Sequence, residues 1–147
     1  MREYKSHTFK GSVKWTGGRT WDFAGESSPM IHGSSPVRFR GEEGKLTPED
    51  LLLASVNTCI ISTFSAYLAR KDFEPIGYTS EVEGLLEHTD HSGFIFTKIK
   101  VKVYVTVGTE EEKAQVIEML EKAHKDCWMS NSLKSETTLE TEVIVAD

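Results

Sequence analysis

The chain has 147 residues, enough for one domain with a substantial hydrophobic core. Its 23 acidic side chains outnumber 17 Lys and Arg, giving a net charge of −6, so it lacks the basic footprint that nucleic acid or an anionic membrane surface requires. The N-terminus MREYKSHTFKG has no apolar signal-peptide core and no run is expected to reach transmembrane length, which points to a cytoplasmic protein.

The first predicted element is extended: Phe9, Val13 and Trp15 alternate with Lys10, Ser12 and Lys14, the period of a half-buried strand. Thr16-Gly17-Gly18-Arg19 is a glycine turn, which folds Thr20 to Ala24 back as the second arm of a hairpin with Trp21 and Phe23 inward. A loop rich in Ser, Pro and Gly over 25–36 leads to a short strand expected over 37–40. GEEGK at 41–45 is a charged connector.

Thr47 to Arg70 reads as one long helix. Thr47 caps the first turn, Pro48 suits the first helical position, Glu49 and Asp50 favour the positive end, and Leu46 can staple onto Leu51. Arg70, Lys71 and the nearby Pro75 mark its end. Apolar residues occupy nearly every face, so the helix is expected inside the protein, where burial opposes ionisation of Cys59. Its length, on the order of 35 Å, would cross the whole core or a subunit interface.

Two strands follow, over 78–87 and 94–107, joined by the polar turn HTDHSG. In the second, Ile99, Val101, Val103, Val105 and Val107 share one face and Lys98, Lys100 and Lys102 the other, so one side of the sheet is wet. Thr109-Glu110-Glu111-Glu112 matches a capping box and opens a second helix with Val116, Ile117, Leu120, Ala123 and His124 at helical spacing. Cys127 lies at its end. A final strand over 137–145 completes an α+β domain spanning 1–147.

The two cysteines form neither a C-x-x-C pair nor a zinc-ligand cluster, and in a reducing compartment a permanent disulfide is not expected. Either both are ordinary buried thiols or they cycle. GGR at 17–19, TPEDLLLASVNTC at 47–59, Cys127 and SNSL at 130–133, in this order, resemble the OsmC/Ohr family of osmotically inducible and organic hydroperoxide resistance proteins. The resemblance implies antiparallel sheets packed around two main helices, one long and central, in an intertwined homodimer. It further implies a cysteine peroxidase acting on organic hydroperoxides, part of an oxidative stress response, with Cys59 as peroxidatic thiol, Cys127 as resolving thiol, Arg19 as activating cation and Glu49 as the carboxylate partner of that arginine. The reductant would be a small dithiol or a lipoylated protein, with no metal and no cofactor. One departure is visible: many members place proline after the second cysteine, where this chain has Trp128 and Met129.

The chemistry has its own logic. Peroxide reduction needs a thiolate, and Cys59 is too deep in its helix to draw on that helix's dipole, so a cation is expected to supply the stabilisation. Arg19, at a glycine turn, suits this because guanidinium keeps its charge when partly buried. Glu49 and Cys59 are separated by ten residues, about 15 Å of helix, so a Glu49 that orients the arginine beside a cysteine would serve the partner subunit's site. Trp21, Phe23, Leu53, Val56, Ile60, Trp128 and Met129 are the expected walls of an apolar pocket for an alkyl or fatty-acid hydroperoxide.

Each residue taken alone has an ordinary explanation. Cys59 and Cys127 would be small buried hydrophobes, Arg19 a solvated turn residue, Glu49 a helix N-terminal acid, and Ser130 and Asn131 turn or cap residues. A non-catalytic relative that binds an apolar ligand at the subunit boundary is the alternative function. A metal site using Cys59, His124 and Cys127 is a third, for which a second ligand motif is missing.

Overall fold

The glycine turn folds the N-terminal segment as its residues require. In the computed structural model, which describes Arg2 and residues 4–147, Gly17 (φ 111°) and Gly18 (φ 53°) turn β1 (Gly11–Gly17) into β2 (Thr20–Gly25). β3 (Ile31–Ser34) extends this to an antiparallel three-stranded sheet in the order β1-β2-β3. Trp21 stands opposite Gly33, and a methyl on Gly33 would lie 2.1 Å from the indole, so only glycine accepts the ring there. This sheet belongs to the first of two compact units, Met1–Leu51 and Leu52–Asp147.

Two expectations for the first unit are corrected. Phe9 precedes β1 and is exposed, and Val13 and Trp15 are 67% and 72% exposed rather than half-buried. Alternation specifies which side chains share a face, not whether another layer covers it. Residues 37–40 form no strand: Val37–Phe39 is a single 3-10 turn, and Arg40 closes it in the left-handed region at φ 68°. Pro36 sets this up, its carbonyl accepting from the N–H groups of Phe39 at 2.8 Å and Gly41 at 3.0 Å.

α1 (Pro48–Lys71) begins as anticipated, with Asp50 N–H donating to Thr47 Oγ1 at 3.1 Å and Thr47 N–H donating to Asp50 Oδ2 at 3.0 Å. It is not buried all round. Val56, Ile60 and Phe64 form one fully buried stripe, while Ala54, Thr58, Ser62, Ser65 and Ala66 are exposed. The exposed hydroxyls bond back to the helix's own carbonyls: Thr58 to Ala54 at 2.6 Å, Ser62 to Thr58 at 2.8 Å and Ser65 to Ser62 at 2.8 Å. By length and composition α1, with a mean hydropathy of 1.6 over its most apolar stretch, is long and apolar enough to cross a membrane, which corrects the expectation that no run reaches that length. Its buried stripe lies in the core of the second unit instead.

That core is built on a second three-stranded sheet, β4-β5-β6. β4 (Gly77–Thr89) and β5 (Gly93–Val107) form a long antiparallel hairpin with a register shift at Leu85/Leu86. The apolar face of β5 is buried from Ile99 to Val107, as its alternation requires. α2 (Glu110–Lys125) starts at a complete capping box between Thr109 and Glu112 and carries the chain across to β6 (Glu136–Val145). The α+β class stands, but the sheet is mixed: β6 runs parallel to β5, Lys98 opposite Glu136 through Val107 opposite Val145. A crossover helix between neighbouring strands brings the second one back in the same direction.

Candidate active site

Cys59 lies in the second unit at the middle of α1, half-buried beside the core residue Ile60. Cys127 follows α2 and is fully buried as the N-cap of α3 (Trp128–Asn131), a single turn. A helix's first N–H groups have no partner within the helix, and here sulfur takes that place. Cys127 Sγ accepts from Ser130 N–H at 3.5 Å and from Ser130 Oγ at 3.2 Å. The backbone N–H groups of Trp128 and Met129 and the Cys127 thiol lie near enough to the Cys59 sulfur to stabilise its thiolate.

This arrangement pushes the two sulfurs apart in acidity. Burial raises the Cys59 thiol, but donation from Met129 N–H, the Cys127 thiol, Trp128 N–H and the Thr63 hydroxyl outweighs it, and the net shift is downward. The Thr63 hydroxyl is the weakest of these donors and in this rotamer bonds the Cys59 carbonyl at 2.9 Å. Cys127 moves upward, chiefly through burial, with Ser130 opposing that shift and the nearby Cys59 sulfur reinforcing it. Cys59 therefore ionises first, and neutral Cys127 is its hydrogen-bond donor.

Cys59 opens into a cavity of about 670 Å³ lined by Ser62, Thr63, Ala66, Tyr67, Arg70, Lys122, Asp126, Trp128 and Asn131. The walls are more polar than expected. Val56 and Ile60, expected as walls, are 0% exposed and present no surface, because they belong to the α1 stripe that packs into the core. Leu53 is likewise spent on packing, close over Gly84 and Phe96 of the β4–β5 hairpin. Trp128 does line the cavity, and Met129 contributes its backbone N–H.

The other expected residues lie in the first unit. Arg19 is exposed at the hairpin tip, where its carbonyl accepts from Ser35 N–H at 3.1 Å, and Trp21 and Phe23 are half-buried on β2. Glu49 occupies the first turn of α1 with Oε2 buried and without a hydrogen-bond partner among the described residues. His124, the third member of the alternative metal set, lies 3.4 Å from Thr137 Oγ1 through Nε2.

Thr63, Tyr67 and Asp126 belong to the site although no short-range pattern marks them, whereas Ser130 has the turn or capping place its position suggests. Ser130 follows Cys127 by three residues, the spacing of an N-cap to the third helical position, and that was the available signal. Tyr67 and Asp126 come from α1 and the end of α2, and the hydroxyl donates to Asp126 Oδ2 at 2.5 Å.

The fold and the sequence have known relatives. The chain is 26% identical over 143 residues to "Uncharacterized protein YmaD" of Bacillus subtilis, covering 95% of each chain. Its fold matches an OsmC-like protein of unknown function from Vibrio cholerae with TM-score 0.83 at 20% identity, covering 93% of this chain and all of that one. It also matches an organic hydroperoxide resistance protein from Elizabethkingia anophelis with TM-score 0.72 at 18% identity, over 99% and 100% of the two chains. The family model described as OsmC-like protein matches residues 41–142, which takes in both cysteines, both main helices and most of the second sheet, and the chain belongs to that family.

Proposed function

We propose that this chain is a cysteine-based thiol peroxidase that reduces organic hydroperoxides. The observation that carries this reading is the pairing of Cys59, whose thiol is shifted downward from its ordinary value, with a buried Cys127 whose thiol is shifted upward. Membership of the OsmC-like family and the likeness to solved organic hydroperoxide resistance proteins support the same reaction class.

The Cys59 thiolate attacks the distal oxygen of ROOH, the O–O bond breaks, and the alkoxide takes a proton to leave as ROH. Cys59 is left as a sulfenic acid. Cys127 then attacks that sulfur, forming the Cys59–Cys127 disulfide and releasing water before further oxidation intervenes. A dithiol, small or protein-bound as a lipoyl group, reduces the disulfide by exchange and becomes oxidised itself. Arg19 polarises the peroxide oxygens and Glu49 orients it across the boundary of an intertwined homodimer in a cytoplasmic setting. The buried Glu49 Oε2, without a hydrogen-bond partner among the described residues, supports the need for a cation from elsewhere.

Intact-mass measurement after one equivalent of cumene hydroperoxide tests the cycle. Loss of two hydrogens with a Cys59–Cys127 linkage is expected. An unchanged mass, or addition of oxygen at a residue other than Cys59, would defeat the reading.

A further inference from the structure

We propose, building on the peroxidase reading, that Tyr67 and Asp126 are positioning residues: their hydrogen bond holds Cys127 within reach of Cys59 and so sets how often the sulfenic acid closes to a disulfide instead of being oxidised further. The Tyr67 hydroxyl donates to Asp126 Oδ2 at 2.5 Å, between residues 59 positions apart in the chain. Cys59, Thr63 and Tyr67 recur at helical spacing and share one face of α1. Asp126 directly precedes Cys127. The bond therefore joins the helix that carries one sulfur to the residue beside the other.

The corner around Cys127 is fastened to itself. Asp126 N–H donates to the Lys122 carbonyl at 2.9 Å, Cys127 N–H to the His124 carbonyl at 3.3 Å, and Asn131 Nδ2 to the Lys125 carbonyl at 3.1 Å. With the Ser130 bonds to the Cys127 sulfur, these make α3 and the end of α2 one piece. None of them reaches α1. Among the described residues, no other hydroxyl or carboxylate hydrogen bond links α1 to that piece, since the remaining side-chain bonds of α1 stay within its own segment or go to β4. Ala123 and Cys127 share a core cluster with Ile60 and Phe64, which brings the piece close, but apolar burial is non-directional and does not by itself fix an angle.

The place of Asp126 calls for an explanation. It is the C-cap of α2, where the negative end of the macrodipole disfavours a carboxylate and favours the Lys122, His124 and Lys125 found in the same last turn. Helix stability does not account for an acid there; the Tyr67 hydroxyl does. A phenol donating to a carboxylate is a charge-assisted bond, and it pushes the Tyr67 hydroxyl above its ordinary pKa, so the hydroxyl stays a donor. The ring is oriented from both helices, with Lys122 Nζ 4.8 Å and Arg70 Cζ 5.8 Å from its centre. Neither cation forms an ion pair with Asp126 among the described residues.

The Cys59 sulfenic acid has two fates. Attack by Cys127 forms the S–S bond and releases water; reaction with a second ROOH moves one more oxygen onto sulfur, giving sulfinic acid and ROH. Only the first depends on where Cys127 stands. A disulfide needs Cα atoms within roughly 7 Å and converging Cβ directions.

The test measures the ratio of the two fates, which is independent of how fast the sulfenic acid formed. Intact mass during turnover of cumene hydroperoxide with excess dithiol counts the chains that gain two oxygens. Tyr67→Phe, which keeps the ring, is expected to raise that fraction per turnover about 10-fold, short of the roughly 100-fold that a 1 Å misplacement can cost. Asp126→Ala should match it, Asp126→Asn, which keeps an acceptor oxygen, should stay near wild type, and Tyr67→Phe with Asp126→Ala should go no further than either alone. A wild-type fraction in Tyr67→Phe, or effects that multiply in the double variant, would overturn the assignment. A chromogenic aryl disulfide reads ring closure without peroxide: one aryl thiolate leaves as the mixed disulfide forms at Cys59, and a second leaves when Cys127 attacks the Cys59 sulfur. A second phase slowed about 10-fold in Tyr67→Phe supports the positioning role even if cumene hydroperoxide is not turned over, which would sink the peroxidase reading alone. A second phase that is absent in the wild type, or unchanged in Tyr67→Phe, rules the role out.

Discussion

At the scale of single residues, the site turns on which N–H groups meet which sulfur. Cys59 carries the net downward shift, so its thiolate is populated at lower pH than that of the same thiol unperturbed. Its alkylation rate by iodoacetamide is expected to climb with pH through that depressed pKa and level off above it. In Cys59→Ser, Cys127 should react only at higher pH, because burial holds it neutral. A Cys59 profile that coincides with a free peptide thiol would remove the basis for the mechanism. Trp128 adds a sharper case. Proline at this position would suit the first turn of α3 but has no N–H to offer. Trp128→Pro should therefore move the Cys59 midpoint upward while Trp128→Phe leaves it in place. The departure from proline visible in the sequence thus supplies the Cys59 sulfur with an additional donor.

At the scale of elements, stability rests on helix starts and on the stripe that α1 lays into the core. Thr109→Ala breaks the capping box of α2 and is expected to cost about 1 kcal/mol in urea unfolding. Phe64, fully buried and packed on Tyr78 with ring centres 5.8 Å apart, should cost about 3–5 kcal/mol when cut to alanine. Gly84 marks where α1 comes close to β4: a methyl there would lie 2.7 Å from Leu53 Cδ2 and 2.9 Å from Phe96 Cδ1. Gly84→Val is expected to destabilise by about 1–3 kcal/mol through overpacking. A denaturation midpoint equal to wild type in that variant would mean that the helix can slide over the hairpin at no cost. Such freedom would also loosen the placement of Cys59 against α3, since both sulfurs depend on α1 staying in register with the end of α2.

At the scale of the whole molecule, the intertwined homodimer is an expectation from the family resemblance and from the ten residues that separate Glu49 and Cys59. Val13 and Trp15 stand exposed on β1, and α1 shows solvent a face of Ala54, Thr58, Ser62, Ser65 and Ala66. Glu49 keeps a buried oxygen without a hydrogen-bond partner among the described residues. Light scattering on a size-exclusion column at micromolar concentration should give twice the 16.5 kDa chain mass. A strictly monomeric species would leave Glu49 without the cross-subunit role proposed for it.

What the amino-acid sequence determined by itself is everything that local periodicity and short-range hydrogen bonding decide. The glycines at 17 and 18, the caps at Thr47 and Thr109, and the alternation from Ile99 to Val107 were each legible because every partner in those patterns lies within a few residues. The order of GGR, TPEDLLLASVNTC and the second cysteine was enough to suggest the family that the match over 41–142 establishes. Tertiary structure alone decided the rest. It turned Val56 and Ile60 into core, ran β6 parallel to β5, and set the N–H groups of Trp128 and Met129 against a sulfur some seventy residues earlier in the chain. Those outcomes depend on which layer covers which face, and a helix that is apolar on nearly every side does not announce which stripe it will bury.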